Sequence, residues 1–324
     1  GQGALAFHRS LTGVTLTGED ANLARAFASD HQTDAFTLSM AANPITAGQF
    51  TAGGITYTAH AQQILDRAAR GFVPLTEIAR SAGAKLLQNG VNPAGFKRSV
   101  QWQDPERRTG SWKELYDWNQ TPPLERQLGS LQAGPQALLR EIHDAASREV
   151  VDLIFDTGRR AFESLGIAYA STDRIRYPAP SAEVQQASDA VIRMLATRRK
   201  LSTRNAATQD PPPNYVLRFL ERATPGNQNV ADFRRDVLTY LDRAGADIQS
   251  VVMADSLIMV TVGEFVFECT ACRRKHLHES CGICTECLSP LVQRSRADFQ
   301  GETADYYAFL ATQAKSLFPL HCEE

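Results

Sequence analysis

The sequence lacks the long apolar runs of a membrane protein. It contains no stretch of 18 uncharged apolar residues, and its start lacks the basic segment and apolar run of a signal peptide. We therefore expect a chain with no membrane partner that works in the cytoplasm. The formal net charge is only −2, so no basic field covers the whole molecule, and a nucleic-acid partner would need a local patch.

Several motifs of catalytic sites are also absent from the sequence. It has no G-x-x-x-x-G-K-[ST] loop to hold phosphates, no D-E-A-D or D-E-x-H box, and no H-E-x-x-H pair of zinc ligands. A zinc deaminase needs H-x-E followed by P-C-x-x-C, and no proline precedes either cysteine pair described below. Cys281 and Cys322 have no base convincingly arranged beside them. The chain therefore offers no candidate catalytic residue.

What is present is the composition of an ordinary globular protein. The 324 residues are 43% hydrophobic and 22% charged, which allows a sizeable core and two or three domains. We predict a mixed loop and helical region at 1–135, a helical region at 136–209, and a winged-helix-like unit with a zinc ribbon at 210–324. The chain does not begin with Met and ends without a helix stop, which favours a piece of a larger protein.

The apolar periodicity predicts a mainly α fold with a small α+β part, in which a helical bundle precedes the winged-helix-like unit and a four-cysteine zinc ribbon. Residues 1–55 are predicted to be loops with short strands and at most one helix, at 21–29. Further helices are predicted at 58–70, 74–90, 136–165, 182–199, 215–222 and 230–244. Two β-like runs at 250–253 and 257–267, with a turn at Asp255 and Ser256, would form the hairpin of the winged helix.

Residues 90–135 hold all three tryptophans, Trp102, Trp112 and Trp118. The segment is too aromatic for a disordered linker, so we predict a long ordered loop packed on the surface. Base stacking by the tryptophans is one alternative. Anchoring of the loop or packing in the core is the interpretation that we favour.

Two cysteine pairs near the C-terminal end predict a metal site. Cys269 and Cys272 form one C-x2-C knuckle, Cys284 and Cys287 form another, and five of the six cysteines lie between 269 and 287. Each knuckle is a tight turn that presents two thiolates, and two such turns close a tetrahedral shell around zinc. Because four thiolates leave no open position, we expect a structural Zn²⁺ and not a catalytic one.

Cys281 leaves an alternative open, because Cys281 and Cys284 also have C-x2-C spacing. A redox motif of this kind normally opens a helix in a βαβ unit, whereas this one follows a knuckle, so a redox role is disfavoured. Pairing Cys284 with Cys287 leaves Cys281 as a spare thiol beside the site. His276 and His278 are further candidates that could replace a cysteine ligand.

Basic residues cluster beside the first knuckle and at the end of the helix predicted at 182–199. Six of them are candidates for contact with DNA phosphates: Arg273, Arg274, Lys275, Arg198, Arg199 and Lys200. Glutamates are interspersed near the knuckle, so the patch is only mildly basic. A solvated helix end is the simpler interpretation of 198–200, and zinc ribbons serve both as DNA contacts and as structural clasps.

The run Cys-Thr-Ala-Cys-Arg-Arg-Lys-His-Leu-His at 269–278, followed by Cys-Thr-Glu-Cys at 284–287, resembles the zinc-binding accessory region of very large bacterial superfamily 2 (DEAD/DEAH-box) helicases. These helicases belong to anti-phage defence systems of the Druantia, DISARM or MrfA type. Segments 86–95, 112–118, 159–166 and 320–324 are consistent with the same group, so that the resemblance covers about two thirds of the chain. It implies four zinc cysteines here. ATP-driven movement on DNA, with ATP and Mg²⁺, is implied only for motor domains that this sequence lacks.

Two functions are compatible with these observations. The first is a zinc-clasped accessory region that guides DNA beside helicase motor domains in the same parent protein. The second is a non-enzymatic module whose zinc unit and tryptophan segment recruit another protein of the same defence system. Salt-sensitive DNA binding would favour the first function, and a stable partner complex without DNA binding would favour the second.

Overall fold

Helices dominate the structure, a computed structural model in which about 52% of the described residues are helical and 16% lie in strands. The prediction of a mainly α chain with a small β part is therefore confirmed. None of the helices in the described part of the chain is long and apolar enough to cross a membrane. The structure describes residues 2–95, 101–103, 106, 108–119, 123–126, 133–155, 161–163, 165–198, 200–202, 211–246, 252–253, 256–261 and 263–297.

The helices follow one another along most of the described chain, and the strands are short. The α-helices are α1 (Gln2–Leu11), α2 (Gly18–Asp30), α3 (Gln32–Ala42), α4 (Tyr57–Arg70), α5 (Leu75–Gln88), α6 (Ala133–Ile154), α7 (Ala182–Thr197), α8 (Asn214–Ala223) and α9 (Val230–Arg243). The strands are β1 (Val73–Pro74), β2 (Gln101–Gln103), β3 (Thr109–Ser111), β4 (Tyr116–Asp117), β5 (Leu124–Glu125), β6 (Ala168–Thr172), β7 (Leu201–Ser202), β8 (Val252–Met253), β9 (Leu257–Thr261), β10 (Phe265–Cys269), β11 (Lys275–His276) and β12 (Leu291–Ser295).

Residues 2–42 form three helices, where the sequence predicted loops and at most one helix. These helices pack with α4 around a small core that includes Phe27, Leu38 and Ile64. The apolar residues of α3 are spread around the helix and form no continuous stripe, so periodicity does not reveal this helix. The helix predicted at 21–29 is α2, and the prediction was wrong for its neighbours: α1 has Ala4, Phe7 and Leu11 at helical spacing, a pattern that was overlooked, whereas α3 is stabilised by packing between neighbouring helices and not by an amphipathic pattern.

The helices α4, α5, α7, α8 and α9 lie close to their predicted positions. Thr56 caps α4 by accepting a hydrogen bond from the Ala59 amide at 3.2 Å, and Gly71 ends that helix with a φ of 70°. The helix predicted at 136–165 ends earlier, at Ile154, and residues 161–163 form turns. The predicted helix was too long because the apolar pattern continues past Ile154. Ala161 belongs to that pattern and is buried, but it is not helical.

The tryptophan segment is anchored, as predicted, although it forms strand pairs and not a long loop. β2 pairs with β3, and a 3₁₀ turn at Trp112–Leu115 leads into β4, which pairs with β5. Trp112 is buried in a cluster with Leu138 and Ile142 of α6. The Trp118 ring packs edge-on against it, with ring centroids 5.8 Å apart. In the described residues, Trp112 therefore acts as a core anchor of this segment.

Helix α7 lies at the centre of the largest core. Its residues from Val184 to Ala196 are buried, apart from a half-buried Gln186. Apolar side chains of α8, α9 and β9 pack around it, among them Phe219, Phe233 and Leu257. Neighbouring elements therefore cover α7 on every side, and the turn at 280–282 of the C-terminal zinc unit packs against it.

In the described residues the two β-like runs do not pair with each other, and the predicted hairpin of the winged helix is not confirmed; its turn residue Asp255 lies outside the described residues. The run at 250–253 contributes β8, which pairs in parallel with β7. The run at 257–267 splits into β9, between β1 and β6 in an antiparallel sheet, and β10, in a second sheet between β11 and β12. Hydrophobic alternation identified these strands but carried no information about their partners.

Candidate metal centre

A three-stranded sheet brings the two cysteine knuckles together. β10 ends at Cys269, the first ligand candidate, and β11 returns antiparallel along one edge of β10. After the second knuckle, β12 pairs along the other edge, which places Leu291 opposite Cys269. Pairing within this sheet therefore fixes the distance between knuckles that lie more than a dozen residues apart in the chain.

The four thiols form one compact group. Cys269 Sγ lies 3.3 Å from Cys287 Sγ, and Cys272 Sγ lies 3.6 Å from Cys284 Sγ. All four sulfurs lie within 4.8 Å of one another. A tetrahedral zinc with Zn–S bonds of about 2.3 Å needs sulfurs separated by roughly 3.8 Å. The residues present fit such an ion.

The two knuckles repeat the same backbone hydrogen bonds. The Cys269 amide donates to the Arg274 carbonyl and the Cys284 amide donates to the Ser289 carbonyl, each at 2.9 Å. Each knuckle also ends on a residue with positive φ, Arg273 or Leu288, at 60° in both cases. Left-handed conformations of such side chains cost energy. Two matched turns of this kind are the arrangement that a four-cysteine metal site requires.

The protein environment leaves the four thiols in different charge states. Burial raises the pKa of Cys284 to about 12, whereas hydrogen bonding to Ser289 lowers the pKa of Cys287 to about 6. The crowded thiols are therefore not all ionised by the protein alone. A bound dication stabilises every ligand as a thiolate.

Cys281 lies outside the four-thiol group. Its thiol donates to the Glu183 carbonyl at 3.5 Å, and burial raises its pKa to about 12. The structure thus brings together the cysteines that the sequence favoured and leaves Cys281 beside them. His276 and His278 also lie elsewhere, in a separate buried group with Glu163.

That second group attaches the zinc unit to α7. Arg193 donates to Glu163 Oε1 at 2.5 Å and to His276 Nδ1 at 2.8 Å. It also donates to the Lys275 carbonyl at 3.1 Å, and the Leu277 amide donates to Glu163 at 3.2 Å. One guanidinium therefore holds both the segment before β6 and the strand that follows the first knuckle.

Arg193 occupies one of the atoms through which the group of Glu163, His276 and His278 could hold a metal ion. Because Arg193 donates to Nδ1 of His276, the neutral ring carries its proton on Nε2, which leaves that ring no free lone pair. Arg193 also supplies the positive charge beside Glu163, with the two side chains only 9% and 13% exposed. The group is a buried ion pair with neutral imidazoles around it.

Burial governs the protonation of these side chains. Burial first, and then Arg193, hold the pKa of His276 and of His278 well below the usual range, so both rings are neutral at pH 7. Burial raises the pKa of Glu163, and Arg193 acts in the opposite direction. The His278 ring packs against Tyr169, with ring centroids 5.4 Å apart.

Neither Glu163 nor Arg193 was predicted as part of a site. Arg193 continues a polar row on α7 that also contains Gln185 and Asp189, four residues apart. Asp189 is buried and accepts hydrogen bonds from Arg174 at 2.6 Å and from Ser171. The signal in the sequence was this polar row at helical spacing inside an otherwise apolar helix.

Three of the six basic side chains predicted to contact DNA are engaged within the protein. Arg273 pairs with the buried Glu268 at 2.8 Å. Arg274 and Arg198 both lie near Glu286, at 3.9 and 3.5 Å, and Arg198 also stacks over the Tyr215 ring.

The remaining predicted contacts divide into three cases. Lys275 lies half-buried in β11. Lys200 is exposed just before β7. Arg199 lies outside the described residues. The DNA contacts stay predictions.

Comparison with known proteins found no relative of this chain. No protein-family model matches the chain, and no curated protein or solved structure matches it.

Proposed function

We propose that this chain is a zinc-clasped accessory region that guides DNA beside the motor domains of an ATP-dependent helicase in bacterial anti-phage defence. The observation that carries the proposal is the closed group of four thiols at 269, 272, 284 and 287. Four thiolate ligands leave no open coordination position, which suits a structural ion. The helicase and its defence role rest on the sequence resemblance, and ATP and Mg²⁺ belong to motor domains outside this chain.

In this proposal the ion has a structural role that follows from the residues around it. The knuckles hold β10 and β12 together, and the ion pair of Arg193 and Glu163 fastens the sheet to α7. A metal ion that holds the knuckles together would therefore keep this sheet rigid and attached to the helical core. The proposal does not require a winged helix.

The test is DNA binding by the zinc-loaded chain at increasing salt. Reversal of charge at Arg273, Arg274 and Lys275 together is expected to weaken binding and to reduce its salt dependence. Each phosphate contact that is lost lowers the number of counterions released when DNA binds. A variant with the same change at the exposed Arg25, Arg140 and Arg148 controls for net charge. No binding at low salt by the unmodified chain would overturn the proposal.

A second candidate function is recruitment of a partner protein, and exposed apolar side chains near the N-terminal helices favour it. Ile45 and Phe50 are 83% and 72% exposed, and the exposed Phe36 contacts Tyr57 nearby. Exposed apolar groups of this kind mark protein contact sites when they are contiguous. A stable complex with another protein of the system that is lost on Phe50→Ser, in a chain that binds no DNA, would support this function.

A further inference from the structure

We propose that a cleft between α8 and the second zinc knuckle binds single-stranded nucleic acid, with phosphates on the helix side. The cleft has a volume of about 670 Å³, which is within the usual range of ligand sites. Its helix wall carries Arg218, Glu221 and Arg222. The inference rests on the proposed contact with DNA and assigns it to a specific surface.

The arginines of the helix wall differ from those around the first knuckle. Arg218 and Arg222 are four residues apart, so they lie on the same face of α8, and both are exposed. Within the described residues neither forms an ion pair, whereas Arg273 pairs with Glu268. A phosphate that binds at the cleft does not have to displace a carboxylate from either guanidinium.

The opposite wall is apolar. Ile283, Leu288 and Pro290 line it. The amides of Ile283 and Leu288 already donate to the carbonyls of Ser280 and Cys284, and proline has no amide hydrogen. These three residues therefore offer apolar contact and no free backbone donor. A ligand that suits both walls carries anions along one side and flat or apolar groups along the other.

Single-stranded nucleic acid has this arrangement. Its phosphates alternate with bases, whose flat faces can pack against aromatic or other apolar side chains. Guanidinium groups bind phosphate oxygens in pairs of parallel hydrogen bonds. Glu221 lies on the same wall and opposes an anion, so its removal is expected to strengthen binding.

The cleft is also tied to the metal site. Ile283 directly precedes Cys284 and Leu288 directly follows Cys287, so two of the residues on the apolar wall are held by the knuckle that binds the ion. Both side chains pack against the main core as well. Loss of the metal is therefore expected to weaken nucleic-acid binding at the cleft even though no metal ligand contacts the strand.

The experiment measures binding of a labelled oligothymidylate to the zinc-loaded full chain over a range of salt concentrations. We expect the Arg218→Gln/Arg222→Gln variant to bind at least tenfold more weakly at low salt. Its slope of log affinity against log salt should fall by about 1.4, since each phosphate contact on a single strand contributes about 0.7. We expect Glu221→Gln to bind more tightly.

The matched control is Arg140→Gln/Arg148→Gln, which removes two exposed arginines from α6 and should bind as the unmodified chain does. Zinc content and thermal unfolding should be unchanged in all three variants, because the substituted side chains are exposed.

The failures of the two proposals are distinguishable. If Arg218→Gln/Arg222→Gln binds as well as the unmodified chain, and charge reversal at 273–275 abolishes binding, the assignment of binding to the cleft is wrong. The proposed function is unaffected by that result. No binding by the unmodified chain at any salt concentration would overturn both. Competition by a polyglutamate peptide as effective as that by unlabelled oligothymidylate would assign the cleft to an acidic protein partner and overturn the nucleic-acid assignment.

Discussion

The guanidinium of Arg193 lies 2.8 Å from Nδ1 of His276 and joins the buried helix α7 to the strand that follows the first knuckle. The same guanidinium holds Glu163 at 2.5 Å. Since Arg193 and both partners are largely buried, the contact between the zinc unit and the helical core depends on a charge pair that water does not screen. The stability of the chain should therefore be sensitive to changes at this point.

Arg193→Met is expected to lower the free energy of unfolding by about 3–5 kcal/mol, because it leaves the Glu163 carboxylate buried without its partner. Denaturant unfolding measures the change. Arg193→Met combined with Glu163→Gln should recover part of the loss. The exposed pair of Arg235 and Asp232 provides the control, since Arg235→Met should cost at most about 1 kcal/mol. Equal losses for Arg193→Met and Arg235→Met would contradict the role of the buried pair.

The metal site predicts one zinc ion per chain. Cys284→Ser should remove the zinc and lower the unfolding temperature, because the thiol is buried in the four-sulfur group and metal binding contributes to folding. Elemental analysis and thermal unfolding check both effects. Cys281→Ser is the matched control and should retain the zinc. Iron in place of zinc, or zinc that survives Cys284→Ser, would contradict the assignment.

The neutral imidazoles of His276 and His278 predict a loss of stability in mild acid. Their pKa values are lowered in the folded chain, so below about pH 6.5 the unfolded chain binds more protons and the free energy of unfolding falls as the pH falls. Each histidine contributes up to about 1.4 kcal/mol per pH unit. The groups that face His278 are Glu163, Arg193, Arg174, Tyr169 and the ring of His276.

Unfolding measured from pH 7.5 to 5.5 tests this expectation. His278→Phe removes one of these two buried rings and should give a shallower slope than the unmodified chain. Acid release of a metal from the cysteines affects both proteins alike, so the difference in slope reports the histidine. Identical slopes would rule out a contribution from His278.

Because the indole of Trp112 is buried, we predict that its replacement lowers the stability of the chain much more than replacement of the neighbouring Trp118. Trp112→Ala should cost about 3–5 kcal/mol, since it leaves a cavity among the side chains of α6. Trp118 is 38% exposed, and Trp118→Ala should cost less than half as much. Urea unfolding of both variants provides the comparison. A larger loss for Trp118→Ala would show that the anchor of the segment had been placed wrongly.

The sequence alone was sufficient for features that depend on local spacing. The periodicity of α4, α5, α7, α8 and α9 repeats over several turns, and the C-x2-C pairs specify turns of fixed geometry. These helices and the group of four cysteines were therefore predictable. The helix α3 was not, because its apolar residues surround it and only neighbouring helices explain their burial.

Pairing across long distances was decided by the tertiary structure. Strand β9 could pair with any strand of matching pattern, and the fold places it between β1 and β6. Arg193 is an ordinary helical arginine in the sequence, and it becomes a buried partner of Glu163 and His276 only when residues 30 and 83 positions away fold against it. Local preferences act between neighbours in the chain, whereas burial and charge pairing depend on which segments the whole fold brings into contact.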